Sequence, residues 1–163
     1  MTITIRAAGA DDAGAICAIY NQGIADRIAT LDTALRTSDE RRAWLADRDE
    51  RHPVIVAEAS GTVVGWASLN GFNPRAAYDH VADFSIYVER SWRGKGVGRR
   101  LLDQLIELAR TIGYHKMVLA ALEHNRPGAA LYRSAGFERV GVYREQGQLD
   151  GRWVDVLVME KIL

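Results

Sequence analysis

This chain of 163 residues has one cysteine, no net charge and no long apolar run. Cys17 stands alone, so no internal disulfide can form, and a reducing compartment suits the chain. A free cysteine behaves as a small buried hydrophobe, and packing is the role expected of Cys17. Lys+Arg and Asp+Glu both total 21, which argues against bulk electrostatic binding to nucleic acid or to a membrane surface. No apolar stretch nears the roughly 20 residues that span a bilayer. The opening Met1-Thr2-Ile3-Thr4-Ile5-Arg6 carries no signal-peptide pattern, and a cytoplasmic location is expected. Repeats, low-complexity tracts and Pro/Gly/Ser-rich linkers are also missing, so one domain over residues 1–163 is the expectation. His52, His80, His115 and His124 show no metal-ligand spacing, and without a second cysteine no metal is expected.

What is present is the composition of a globular protein, 48% hydrophobic and 26% charged. A chain this long can bury roughly 70% of its unfolded surface without staples. Ile3 and Ile5 alternate with polar neighbours as a half-buried strand does. Asp11 and Asp12 open a helix with Ala13, Ile16, Cys17 and Tyr20 on one face. Asn21 to Arg36 is polar and irregular, and reads as a long loop or broken helix. Thr37-Ser38-Asp39-Glu40 is a capping box ahead of a second helix with Trp44 and Leu45. Pro53–Ala59 and Thr62–Leu69 read as a hairpin turning at Ser60-Gly61. Gly71 to His80 is a loop. In a strand from Val81 to Val88, Phe84, Ile86 and Val88 face one way, and Asp83, Ser85 and Tyr87 the other. Val97 to Ile112 is amphipathic and stops at Gly113. Strands over Met117–Leu122, Phe137–Arg144 and Trp153–Ile162 follow, with a short helix over Arg126–Ser134. The order predicts an α/β (α+β) fold, a mixed sheet with helices packed on it rather than a regular βαβ alternation.

The chain is organised around Val88 to Arg100, where a β-branched run meets Arg93-Gly94-Lys95-Gly96-Val97-Gly98-Arg99. Glycines at every second position bare the backbone N–H groups. With a helix N-terminus they form an anion site, to which Arg93, Lys95 and Arg99 add charge. A P-loop would need a glycine five residues before Gly94 and Ser/Thr after the lysine, and has neither. A dinucleotide fingerprint would need glycine where Arg99 stands. A turn that merely starts a helix is the bland alternative.

The spacing Arg93-x-x-Gly96-x-Gly98 resembles the signature of the GCN5-related N-acetyltransferase superfamily. Asn125, Ala129, Leu131, Tyr132, Gly136 and Phe137 reproduce that superfamily's second motif about thirty residues on. Four further runs resemble phosphinothricin acetyltransferases: Ile19-Tyr20-Asn21-Gln22-Gly23-Ile24, Phe72-x-x-Arg75-x-x-Tyr78, Phe84-Ser85-Ile86-Tyr87-Val88, and Gly147 to Val156. Asp26-Arg27-Ile28-Ala29-Thr30-Leu31 resembles arsinothricin-resistance members. The resemblance implies the acyl-CoA N-acyltransferase fold, with a mostly antiparallel sheet and helices on both faces. It implies acetyl-CoA as co-substrate, a small glutamate-like amino acid as acceptor (phosphinothricin, methionine sulfoximine or sulfone, arsinothricin) and a homodimer.

Carried onto this chain, the resemblance places the cofactor at Ile86, Tyr87, Val88, Arg93, Gly94, Lys95, Gly96, Val97, Gly98, Arg99 and Asn125. It makes Tyr132 the acid that protonates the departing thiolate, and sets a carboxylate at Asp83, where the family carries glutamate, as base for the amine. Glu89 and Glu123 are alternative bases, and a carboxylate satisfied by a loop arginine is the bland reading of Asp83. Tyr20, Arg75, Tyr78, Arg152 and Trp153 are the acceptor-side candidates, with Arg75 suited to binding a carboxylate bidentately. Exposed arginine and sheet packing remain the alternatives for Arg152 and Trp153. Val154 stands where the family often has histidine. Other amine acceptors, a peptide N-terminus or a polyamine, and a non-catalytic acyl-CoA-binding module are the competing functions.

Overall fold

The computed structural model describes residues 2–163. Seven strands form one mixed sheet, with neighbours in the order β1-β2-β3-β4-β5-β7-β6. They are β1 (Ile3–Ala7), β2 (Val54–Ala59), β3 (Thr62–Gly71), β4 (Val81–Val88), β5 (Lys116–Leu122), β6 (Glu138–Leu149) and β7 (Arg152–Ile162). Period-two alternation sorts the side chains. Ala67, Leu69, Ala82 and Phe84 join one core cluster, which also holds Leu101, Leu102 and Leu105 of α3 (Val97–Ile112). Trp66 and Val56 join a second with Ile16, Ile19, Tyr20 and Ile24 of α1 (Ala13–Asp26). Helices thus cover both faces, as expected: α3 and α4 (Arg126–Ser134) on one, α1 and α2 (Ser38–Ala46) on the other. The capping box is made, with Thr37 Oγ1 accepting from Glu40 N at 3.1 Å and Glu40 Oε2 from Thr37 N at 3.2 Å.

Two boundaries differ from the sequence reading by more than two residues. Asn21 to Asp26 is not loop but the last two turns of α1, because Ile24 is fully buried and Gly23 lets the Tyr87 ring close onto the helix. A Cβ on Gly23 would stand 3.1 Å from that ring. The helix stops one residue later at Arg27, whose φ of 57° is left-handed. The sixth strand also runs past Arg144 to Leu149. Its pairing with β7 shifts between Tyr143 and Gly147, and there the Glu145 N–H donates to Asp155 Oδ1 at 2.7 Å, so a bulge carries the strand through the polar run.

One pairing positions the site. Among the described residues β4 and β5 are the parallel neighbours, and they pair only from Val81↔Lys116 to Asp83↔Val118. From Phe84 onward β4 remains bonded to β3, through Gly65↔Val88, and parts from β5. The sheet therefore opens into a wedge, with the glycine turn at its wide end.

Candidate active site

The turn begins where β4 ends. Glu89 Oε2 accepts from Ser91 N at 2.8 Å, closing a single 3-10 turn over Arg90–Trp92. Gly94 and Gly96 then take φ of 74° and 87°, a left-handed region that strains any residue with a Cβ. Gly98 serves a different purpose. A Cβ there would lie 3.2 Å from Leu131 and 3.7 Å from Val88, so its bareness brings α3 close to α4 and β4. The N-terminus of α3 has no side-chain cap, whereas Thr37 caps α2 and Asn125 caps α4 through Gly128 N at 3.1 Å. The first amides of α3 thus keep their donors free at the positive end of a helix dipole.

The cations of the turn are divided. Arg93 Nη1 pairs with Asp26 at 2.7 Å, and Arg90 pairs with the same carboxylate through two nitrogens. These bonds, Arg90's first, hold the Asp26 carboxyl below its ordinary range. Arg99 pairs with Asp103 at 2.9 Å and reaches Ser134 Oγ at 3.2 Å. Lys95 has no acidic partner among the described residues, and its ammonium lies 5.4 Å from the Trp92 ring centre. Of Arg93, Lys95 and Arg99, two therefore tie the turn down, and Lys95 is left without an acid among the described residues.

A cleft of about 520 Å³ fills the wedge. Ile86, Tyr87, Val88, Arg93, Gly94, Gly96, Gly98, Arg99 and Asn125 line it, and so does Tyr132. Two of the expected cofactor residues do not: Lys95 stands outside the lining, and Val97 is buried at 1% exposure in the core beside Gly65. The Tyr132 ring lies edge-on to Phe84 at 5.7 Å and to Phe137 at 6.3 Å. Burial pushes its phenol up to about 12, and the Asp83 charge adds to the rise. The phenolic oxygen has no hydrogen-bond partner among the described residues. Asp83 shares the β4 face of Ser85 and Tyr87 and sits opposite Asn70. Burial pushes its carboxyl up to about 6, opposed by the Phe84 N–H that Oδ1 accepts at 2.6 Å. No arginine or lysine pairs with it among the described residues, so the loop-arginine reading does not hold. The other two carboxylates are engaged or remote. Glu89 bonds Ser91 and Gln22, and Glu123 lines a separate groove.

The acceptor-side candidates are not gathered in the cleft. Tyr20 is buried behind it, edge-on to Tyr87 at 5.0 Å, with its hydroxyl donating to Asp32. Arg75 is exposed at the start of a 3-10 turn, and Tyr78 packs on Phe72 beside a cavity of about 370 Å³. Both lie at the Val81 end of β4, the end that carries Asp83. Arg152 and Trp153 begin β7 at the surface, Trp153 being 62% exposed.

Residues 21–137 match the model of the acetyltransferase (GNAT) family. The chain belongs to that family. The match runs from α1 to the end of α4 and so contains both walls of the cleft. Among relatives of this acetyltransferase, an L-methionine sulfoximine/L-methionine sulfone acetyltransferase of Pseudomonas aeruginosa is 37% identical, covering 98% of this chain and 94% of its own. A GNAT superfamily phosphinothricin acetyltransferase from Sinorhizobium meliloti, crystallised with acetyl-CoA, superposes with a TM-score of 0.92 at 31% identity, covering 100% of this chain and 89% of its own. The crystal structure of a ribosomal-protein-alanine N-acetyltransferase from Brucella melitensis gives 0.95 at 40%, covering 98% and 99%.

Several residues of this acetyltransferase's cleft were not among the expected site residues. Gly23, Ile28 and Ala29 roof it from the end of α1, and Trp92, Pro127, Gly128 and Leu131 complete the walls. Ile28 and Ala29 fall in the run reading as loop, and chemistry-bearing residue types give no signal there. What holds them is long-range: Arg27 pairs with Asp150 at 3.0 Å, His124 Nε2 lies 2.9 Å from the Arg27 carbonyl, and Tyr87 Oη donates to the Ala29 carbonyl at 3.5 Å. Among the described residues no helix is long and apolar enough to cross a membrane, and no group of metal-ligating side chains forms.

Proposed function

We propose that the chain is an acetyl-CoA-dependent N-acetyltransferase acting on the amino group of a small glutamate-like amino acid, of the phosphinothricin or methionine sulfoximine/sulfone type, and so detoxifying it. The observation that carries the chemistry is a phenol without a partner in the wall of a cleft that ends at an uncapped helix, with a half-buried carboxylate without a cation three residues before the cleft's Ile86 on β4, close enough for its charge to act on that phenol. The glycine turn fits a pyrophosphate because bare glycines lead into the uncapped N-terminus of α3, and Arg93, Lys95 and Arg99 add charge. Acetyl-CoA supplies an activated acetyl group as a thioester. The backbone of Ile86–Val88 faces the cleft, and an N–H there, Val88's first, polarises the carbonyl, a contribution of about 3–4 kcal/mol when aligned. Asp83 takes the ammonium proton. With its carboxyl at about 6 it is ionised at neutral pH yet a stronger base than an exposed aspartate. Tyr132, held at about 12, stays protonated and can give its proton to the departing sulfur.

Acceptor recognition belongs to the Asp83 end of β4, where Arg75 offers a guanidinium for the acceptor's carboxylate and Tyr78 a hydroxyl. Tyr20 braces Tyr87, and Arg152 and Trp153, exposed at the start of β7, are the remaining acceptor-side candidates. The reading also includes a single domain, a cytoplasmic location and a homodimer; light scattering on the purified protein checks the last. The Brucella relative's name supports a second acceptor class, the N-terminus of a protein beginning with alanine. A CoA-release assay separates the two. Turnover with methionine sulfone or phosphinothricin, and none with spermidine or an alanine-initiated peptide, is expected. Turnover with the peptide alone would replace the acceptor, and tight acetyl-CoA binding with no turnover on any amine would sink the enzyme reading. Arsinothricin belongs in the same panel.

A further inference from the structure

The helix that carries Tyr132 has a second working face. On α4, Arg126, Ala129, Ala130 and Arg133 follow the i, i+3, i+4, i+7 spacing of one helical stripe. Seven residues separate the two arginines by about 10 Å along the axis, and the alanines between them leave a trough. The trough is the wall of a groove of about 660 Å³ between α4 and the β6–β7 hairpin. Leu157 of β7 and Arg139 of β6 also line it. Glu123 is the acid in the lining and His124 stands beside it. The three guanidiniums make no ion pair and no side-chain hydrogen bond among the described residues, unlike Arg93 and Arg99 of the cofactor turn.

A chain of zero net charge that gathers three unpaired arginines around one concavity holds a local positive potential without an internal reason for it. Guanidinium groups lining one groove present paired N–H donors suited to phosphate or carboxylate oxygens, and the spacing of Arg126 and Arg133 along α4 suits a ligand with more than one such group. We propose that this groove is a second anion site, separate from the acetyl-CoA cleft, that binds a small polyanion carrying two or more phosphate or carboxylate groups. The opposite stripe of α4, with Asn125, Gly128, Leu131 and Tyr132, lines the cleft, so the helix is a wall common to both sites.

The test is calorimetric titration of the full chain already saturated with CoA, so that the glycine turn is filled and cannot report. Inorganic pyrophosphate is titrated in one arm and citrate in the other, which distinguishes phosphate from carboxylate chemistry. One saturable site per chain is expected, weakened at least tenfold in the R133Q/R139Q double variant and unchanged in R144Q, an arginine of β6 outside the groove. All three side chains are exposed, so the variants keep the fold, and unchanged thermal melting and CoA affinity verify it. No saturable binding in either arm overturns the site, as does binding that the double variant retains. Either result leaves the acetyltransferase reading intact, because that reading stands or falls on amine-dependent CoA release.

Discussion

Asp83 and Tyr132 acquire their chemistry from what surrounds them. A carboxylate at about 6 has been left without a cation, and the pH profile should show it. The base must be ionised, so kcat/KM is expected to rise through pH 6 and level off above it; a profile flat from pH 5 to 8 would remove Asp83 as the base. Asp83→Asn should cost on the order of 10²–10⁴ in kcat. The same substitution should stabilise the fold. The folded carboxyl binds its proton more tightly than the unfolded one, so wild type pays nothing when both states are protonated. The penalty then grows as pH rises from about 4 to about 6, and is constant beyond. Its full size is roughly 3 kcal/mol at about 1.4 kcal/mol per tenfold change in proton affinity. Thermal melts of both proteins at pH 4 and pH 8 should diverge accordingly. Tyr132→Phe keeps the contacts with Phe84 and Phe137, so a fall in kcat of about 10² is expected without loss of melting temperature. In the sequence, motif spacing singles out Tyr132, and the resemblance to phosphinothricin acetyltransferases singles out Asp83. That Asp83 lacks a partner was not legible there, since it depends on where distant arginines go.

At the scale of elements, the contrast between helix starts matters most. α2 and α4 end in side-chain caps that satisfy their first amides, and α3 does not. Gly96→Ala places a Cβ at a φ of 87° on the first residue before α3. It is expected to cost about 1 kcal/mol of stability, and to raise KM for acetyl-CoA more than it lowers kcat. Steady-state kinetics at saturating acceptor measure that split. Asn125→Ala removes the α4 cap, at about 1 kcal/mol, in a denaturant titration. Strand and helix types were readable from periodicity, and the cap of α2 from four residues. The reach of α1 was not, because Gln22 and Gly23 look like a break until Tyr87, more than sixty residues away, packs onto the glycine. The true length of β6 was hidden likewise, since its bulge is satisfied by Asp155 on the partner strand.

At the scale of the molecule, two cores lie on opposite faces of one sheet, and at Gly65 a strand and α3 meet closely. A Cβ there would stand 3.0 Å from both Leu101 and Val97 and 3.2 Å from the Tyr87 carbonyl. Gly65→Ala should therefore destabilise by about 1–3 kcal/mol in a thermal or denaturant melt. The architecture class followed from element order, but the strand order did not. Sequence periodicity says which face a residue takes, and nothing about which neighbour a strand chooses. The three-residue pairing of β4 with β5 has a consequence of its own. It is a seam sewn at one end. Beyond Asp83, those β4 amides that do not bond β3 have no strand to bond, and an extended molecule laid along them can act as the missing thread. Hydrogen exchange at Ile86 and Val88 is thus expected to be fast in the unliganded protein and slow with CoA. The fold itself should gain about 2.7 kcal/mol at a ligand concentration one hundred times Kd, so the protein is mended by the compound it uses.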